Sequence, residues 1–214
     1  MIRKSFLTSA AVALALGVNP ALAQSSGNLA DIKQGGSDVA NVTQEGKDNT
    51  TYLDQVGGDG ATDTATVEQN GANNFVDSYQ QSWVGGYGNS LKIEQLGSEN
   101  DARTFQMTGK NTINLSQDGI GNFADIEQRS SATNADTQAE QIGDDNRLYV
   151  SQGIPQSNDV SGKDNRVTVL QNGNSNYGNI TQTNDYGDTS EMKVSLTQNG
   201  NDNSATVTQS ALQP

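Results

Sequence analysis

The side chains able to do chemistry in this chain are mostly carboxylates. Asp and Glu number 25 against 12 Lys and Arg, with no cysteine and no histidine. No disulfide framework is possible, thiolate and imidazole metal sites are excluded, and the commonest general base is missing. A polysaccharide-acting enzyme built on stacked strands would gather its acids on one sheet. Glu68, Glu94 and Glu127 are instead scattered among Lys, Thr and Asn. Gly57-Gly58-Asp59-Gly60 approaches a calcium-binding nonapeptide, but such sites need tandem copies, and an isolated one reads as a flexible loop. The aromatic residues Tyr79, Trp83 and Tyr87 cluster around one connection, where they pack a loop or stack on a sugar or a neighbouring fibre. No catalytic, cofactor-binding or metal-ligating residue is assigned. Asn-x-Thr/Ser sequons, as at Asn41 and Asn179, are by-products of a repeat.

The elements that position these groups are unusual. Only 32% of the chain is hydrophobic, against ~45–50% in an ordinary domain. A conventional core is hard to fill from this composition, and disorder is the simplest alternative. A formal charge of −13 makes nucleic acid and anionic membranes poor partners.

Residues 1–23 read as a cleaved secretory signal peptide. Arg3 and Lys4 are basic, Phe6 to Val18 is apolar but short for a bilayer span, and Ala21-Leu22-Ala23 is a small-residue cleavage signature. Its removal takes the charge from −13 to −15. Residues 24–29 form a short N-terminal segment, 30–209 the repeats and 210–214 a tail. No other stretch is apolar enough to insert in a membrane, so the product is expected to be exported and soluble.

Self-similarity organises residues 30–209. The segments 95–106, 117–128, 171–182 and 198–209 each run Gln, one residue, Gly, two residues, Asn, five residues, Gln. The same Gln recurs at fifteen positions: Gln34, Gln44, Gln55, Gln69, Gln80, Gln95, Gln106, Gln117, Gln128, Gln141, Gln152, Gln171, Gln182, Gln198 and Gln209. Four and two residues before it stand apolar or small side chains, such as Ala65 and Val67 or Leu91 and Ile93. Three and one residues before it stand mostly polar ones, such as Lys92 and Glu94. This alternation predicts half-buried strands with the Gln in the inward phase.

The spacing separates two kinds of connection. From each even-numbered Gln to the next the gap is always 11 residues; from each odd-numbered Gln it ranges from 10 to 19. The predicted fold is therefore all-β: a two-sheet β-solenoid of strand-turn-strand rungs, about 22 residues each, with every insertion on one edge. Stacked ~4.8 Å apart, seven and a half rungs would stand roughly 36 Å tall. The fixed edge reads Gln-x-Gly-x-x-Asn in all seven copies, at Gly46 and Asn49, Gly71 and Asn74, Gly97 and Asn100, Gly119 and Asn122, Gly143 and Asn146, Gly173 and Asn176, and Gly200 and Asn203. Gly permits a positive φ; Asn tolerates left-handed backbone and bonds it locally. The variable edge comes near this pattern once, from Gln106 to Asn111 with the Gly one place later, and Pro155 falls in its longest insertion.

Such rungs cannot stand alone, because ordering 11 residues costs ~10–20 kcal/mol of backbone entropy and two or three buried aliphatics return only ~1.5–3 kcal/mol each. Stacking closes the gap by sharing strand bonds and Gln and Asn amide ladders between neighbours. An unassembled chain is thus expected to be largely unfolded until nucleated. With no capping helix in the sequence, both terminal strands are predicted templates for another copy. Outward acids restrain aggregation or simply confer solubility.

The motif Asn-x-Ala-x-(Ile/Val)-x-Gln-x-Gly-x-x-Asn resembles the curlin repeat of bacterial curli subunits. Asn122 to Gln128 and Asn203 to Gln209 match it well, and the resemblance spans residues 30–209. It implies a functional amyloid on the cell surface, acting in biofilm matrix and adhesion. It also implies export through an outer-membrane pore and a partner nucleator subunit. The chain departs from curlins in three respects: it has more than five rungs, a short segment before the first strand, and one irregular edge. A regular last repeat without a basic cluster leans towards the major subunit rather than the minor nucleator. A monomeric β-solenoid adhesin or ice-binding surface protein is the alternative, although outward Thr66, Thr206 and Thr208 do not form a continuous array.

Overall fold

In a computed structural model, the described residues are 22–23, 27–58, 60–82, 87–107, 109–129, 132–153, 162–163, 165–184 and 191–211. Eighteen strands follow one another with no helix among these residues: β1 (Leu22–Ala23), β2 (Leu29–Gly35), β3 (Val39–Lys47), β4 (Thr50–Val56), β5 (Thr64–Ala72), β6 (Phe75–Gln81), β7 (Ser90–Ser98), β8 (Asp101–Met107), β9 (Thr112–Ile120), β10 (Phe123–Gln128), β11 (Ala132–Thr133), β12 (Asp136–Ile142), β13 (Arg147–Gln152), β14 (Gly162–Lys163), β15 (Arg166–Asn172), β16 (Tyr177–Asn184), β17 (Lys193–Asn199) and β18 (Ser204–Ala211).

They form two eight-stranded sheets. Sheet A runs β1-β3-β5-β7-β9-β12-β15-β17 and sheet B runs β2-β4-β6-β8-β10-β13-β16-β18. All these pairings are parallel, and each repeat Gln pairs with the next in register, as Gln69 does with Gln95 and Gln106 with Gln128. The chain crosses from one sheet to the other after every strand, which is the predicted β-solenoid. Successive rungs are offset by 21 residues between Gln34 and Gln55 and by 30 between Gln141 and Gln171. The excess over 22 lies on the edge leading from sheet B to sheet A. Two insertions there add a small parallel pair, β11 with β14; Pro155 lies outside the described residues.

Alternation places one face of each sheet inward. Val42, Val67, Ile93 and Leu115 of sheet A meet Leu53, Val76, Ile126 and Leu148 of sheet B in one buried cluster. Small residues such as Ala40, Ala65, Ala102 and Ala124 share this interior and keep the sheets close. The core is narrow, so a third of the chain being apolar suffices once amides fill the rest.

The fixed turn is dictated by contact between rungs. Gly97 has φ +106°, and a Cβ there would collide with the carbonyl of Gly119 in the next rung. Gly46, Gly71, Gly119, Gly143 and Gly173 are placed the same way against the following glycine. Only at Gly200, in the last rung, is that space open. The left-handed non-glycine residue is not the motif Asn but the residue before it: Asp48, Asn73, Glu99, Asp145, Ser175 and Asp202 have φ between 56° and 59°. The Asn is instead the buried hydrogen-bonding member of the turn.

Candidate functional site: amide ladders and open ends

Thirteen of the fifteen repeat Gln side chains are buried; Gln34 and Gln209, in the first and last rungs of sheet B, are half-buried. In sheet A the amides donate in sequence, Gln44 Nε2 to Gln69 Oε1 at 2.8 Å, Gln69 to Gln95 at 2.8 Å and Gln95 to Gln117 at 2.9 Å. The series continues through Gln141 and Gln171 to Gln198. Sheet B carries the same line from Gln34 through Gln55, Gln80, Gln106, Gln128, Gln152 and Gln182 to Gln209.

Every repeat Gln from Gln44 onward also braces the sheets together, which periodicity alone did not reveal. Gln95 Nε2 donates to the carbonyl of Phe75 at 3.0 Å and Gln128 Nε2 to that of Thr112 at 3.0 Å, each reaching the first residue of a strand in the opposite sheet. One amide thus bonds along the axis with its oxygen and one hydrogen, and across the core with the other hydrogen. Bonds of this kind are worth only ~1 kcal/mol net, but an unsatisfied buried amide costs more, so each rung depends on its neighbours.

A second ladder lines the fixed edge. Asn100 Nδ2 contacts the Leu96 carbonyl within its own turn, the Gly119 carbonyl of the next rung and Asn74 Oδ1 of the previous one, at 3.1–3.2 Å. Its Oδ1 accepts from the backbone N–H and Nδ2 of Asn122. Asn49, Asn74, Asn122, Asn146, Asn176 and Asn203 occupy the equivalent place. Between the asparagines donation runs from later rung to earlier, opposite to the Gln lines, while Nδ2 donates forward to the glycine carbonyl of the next rung.

The variable edge has a broken counterpart that the sequence reading missed. Six residues before each sheet A Gln stand Asp38, Asp63, Asn89, Asn111, Ala135, Asn165 and Met192, all buried. Asp38 accepts from the N–H groups of Gly57 and Asp63, and Asp63 Oδ1 from the N–H and Nδ2 of Asn89. Asp63 Oδ2 has no partner, and burial raises its carboxyl pKa, with nearby Asp38 adding to the rise and the Asn89 N–H opposing it. Asn165 lies between Ala135 and Met192, and neither of its amide atoms finds a partner. Counting back six from each Gln would have exposed this line.

The outer faces differ. Sheet B projects seven aromatic rings, Tyr52, Phe75, Tyr79, Phe105, Phe123, Tyr149 and Tyr177, while no strand of sheet A carries one. Tyr79 stacks on Phe105 with ring centres 5.2 Å apart, whereas Tyr87 lies under the Lys110 ammonium at 3.6 Å. The expected grouping of Tyr79 with Tyr87 is therefore not what these rings do; Trp83 lies outside the described residues. The outward acids are not gathered on one sheet: Glu68 and Glu94 are exposed register neighbours on sheet A and Glu127 is on sheet B.

At the ends the stack is open. Sheet B finishes on β2 and β18, and sheet A on β17 and on β1, which pairs only with Thr43 and Gln44 of β3. The core residues Ala30, Ile32, Leu196 and Val207 at these ends are only partly buried. Among the described residues no Gln amide donates to the Oε1 of Gln34 or Gln44, and Gln198 and Gln209 donate to no further Gln. No described helix is long and apolar enough to cross a membrane, and no cluster of three or more potential metal ligands occurs among the described residues. Residues 162–210 match the curlin associated repeat family. Comparison with curated proteins and with solved structures found no match.

Proposed function

We propose that this chain, which carries the curlin associated repeat over residues 162–210, is a secreted structural subunit that polymerises head-to-tail into extracellular amyloid fibres of the curli type. One observation carries the reading: the two ends are complementary in register and in hydrogen-bond polarity. The last rung offers the amide donors Gln198 and Gln209, and the first offers the acceptors Gln44 and Gln34. A second copy would extend β17 with β3 and β18 with β2, continuing both Gln lines and covering the half-buried apolar residues at the joint. The role is a major subunit in a biofilm matrix, with a nucleator and an outer-membrane pore as partners and no catalysis.

Processing after Ala23 fits the same scheme. Leu22 and Ala23 occupy the outer edge of β3, so removing residues 1–23 would leave that edge free; the rest of the proposed signal peptide lies outside the described residues. The joint is tested with Val207→Asp. Val207 is half-buried against the end of the core, so the substitution puts an unpaired carboxylate into any interface formed by β18, and retained β-type circular dichroism checks that the earlier rungs still fold. Fibre elongation from wild-type seeds is expected to slow at least about tenfold. An unchanged elongation rate would rule out this joint.

A further inference from the structure

The aromatic face of sheet B is built in two ways. In its middle rungs the rings carry their own cations. The Arg103 guanidinium lies 5.5 Å from the centre of Phe123 and that of Arg129 5.4 Å from Phe105, each also bound to a carboxylate, of Asp101 and Glu127. Acid, guanidinium and ring form a repeated unit. In the early rungs the acids and rings recur without an arginine; the cation beside them is Lys33 of the first rung, the register neighbour of Asp54. Tyr52 is the register neighbour of Asp77, and Asp54 that of Tyr79. The four outward side chains therefore make a block with rings on one diagonal and carboxylates on the other.

Around this block lies a cavity of about 210 Å³, bordered also by Asp31 and Lys33 of the first rung. It is smaller than the ~300–1,000 Å³ that drug-sized ligands occupy, but it has room for a head group. Among the described residues no ion pair engages Asp31, Asp54, Asp77 or Lys33, and no cation sits over Tyr52 or Tyr79. Arg103, the register neighbour of Asp77, is turned onto Asp101 instead. Tyr79 is closed on one side by Phe105. Burial and the charge of Asp54 raise its phenol pKa, so the carboxylate acts on the ring's hydroxyl.

We propose that this cavity binds an organic ammonium group, with Tyr52 and Tyr79 as its aromatic walls and Asp54 and Asp77 as its counter-charges. A ring face attracts a weakly hydrated cation, and flanking carboxylates add Coulomb attraction without competing for the same space. The ligand replaces the guanidinium that the middle rungs supply internally. The site begins at the first rung but opens to the side of the stack, on the outer face of sheet B, rather than along the axis, so the proposal does not rest on the fibre reading.

Two probes distinguish the source of the ammonium: choline for a methylated head group and n-butylammonium for a lysine-like amine. Each is titrated into the folded chain lacking residues 1–23, as fibres where it assembles and as monomer where it does not, at constant ionic strength, followed by saturation-transfer NMR, with sodium as the inorganic control. Saturable binding of at least one probe is expected. It should weaken about tenfold in Asp54→Asn/Asp77→Asn and in Tyr52→Ala, and be unchanged in Glu68→Gln/Glu94→Gln on the opposite face. These are outward side chains, and retained β-type circular dichroism checks that the variants fold. Absence of saturable binding by both probes, complete displacement by sodium, or equal affinity in Asp54→Asn/Asp77→Asn would overturn the proposal.

Discussion

The two edges of this solenoid solve the same problem with different rigour. On the fixed edge an Asn stands in every rung from Asn49 to Asn203, each hydrogen-bonded to the rung before it and, up to Asn176, to the rung after it. On the variable edge the corresponding line passes from Asp38 and Asp63 through Asn89 and Asn111 to Ala135, and Asn165 is left without amide partners. A continuous ladder requires the same turn at every level, because each amide reaches fixed atoms of its neighbours. Where the line is broken, chain length is released and insertions accumulate. Constant spacing is thus a consequence of amide pairing rather than of core packing, which both edges share.

Substitutions at matched positions sharpen this contrast. The largest effect is expected at glycine. Gly97→Ala on the fixed edge should destabilise by roughly 3 kcal/mol or more, because its φ is +106° and a Cβ would strike the Gly119 carbonyl. Gly60→Ala, at φ +84° on the variable edge with nothing near its Cβ position, should cost only about 1 kcal/mol. Denaturant unfolding of soluble chain, or of fibres, reads the difference, and equal losses would break the comparison.

Asparagine follows. Asn100→Ala removes five side-chain hydrogen bonds and should cost about 3–4 kcal/mol. Asn89→Ala removes three and should cost about 2 kcal/mol. In the opposite direction, Ala135→Asn should join Asn111 to Asn165, satisfy the orphaned amide and stabilise by about 1 kcal/mol, seen as a higher unfolding midpoint.

The smallest effect concerns pH. The folded-state pKa of Asp63 is raised above its ordinary value, so its proton is held more tightly in the folded chain than in the unfolded one. Its contribution to stability therefore grows as pH falls through the raised pKa and is lost as pH rises past it. Asp63→Asn should remove this part of the pH dependence and stabilise the chain modestly at neutral pH, which unfolding midpoints between pH 4 and 7 would measure.

Much of this architecture was legible in the spacing of one residue type. The phase of Gln identifies the inward face, and the invariant 11-residue gap separates the two edges. Three features were not legible. The reach of Gln95 to the Phe75 carbonyl depends on the distance between sheets, which no periodicity encodes. The left-handed residue at Glu99 rather than Asn100 depends on how the turn closes against the rung above. The aromatic face was hidden because its rings occupy odd offsets before every second Gln, and Tyr79 stood close enough in sequence to Trp83 and Tyr87 to suggest a loop cluster instead.

The measurement that tests the account most directly is fibre diffraction from the purified chain lacking residues 1–23, incubated and seeded with its own fragments. Head-to-tail stacking of these rungs predicts fibres with a ~4.8 Å meridional reflection and growth accelerated by seeds. A folded monomer that persists for days at micromolar concentration, with no fibres and no response to seeding, would contradict it.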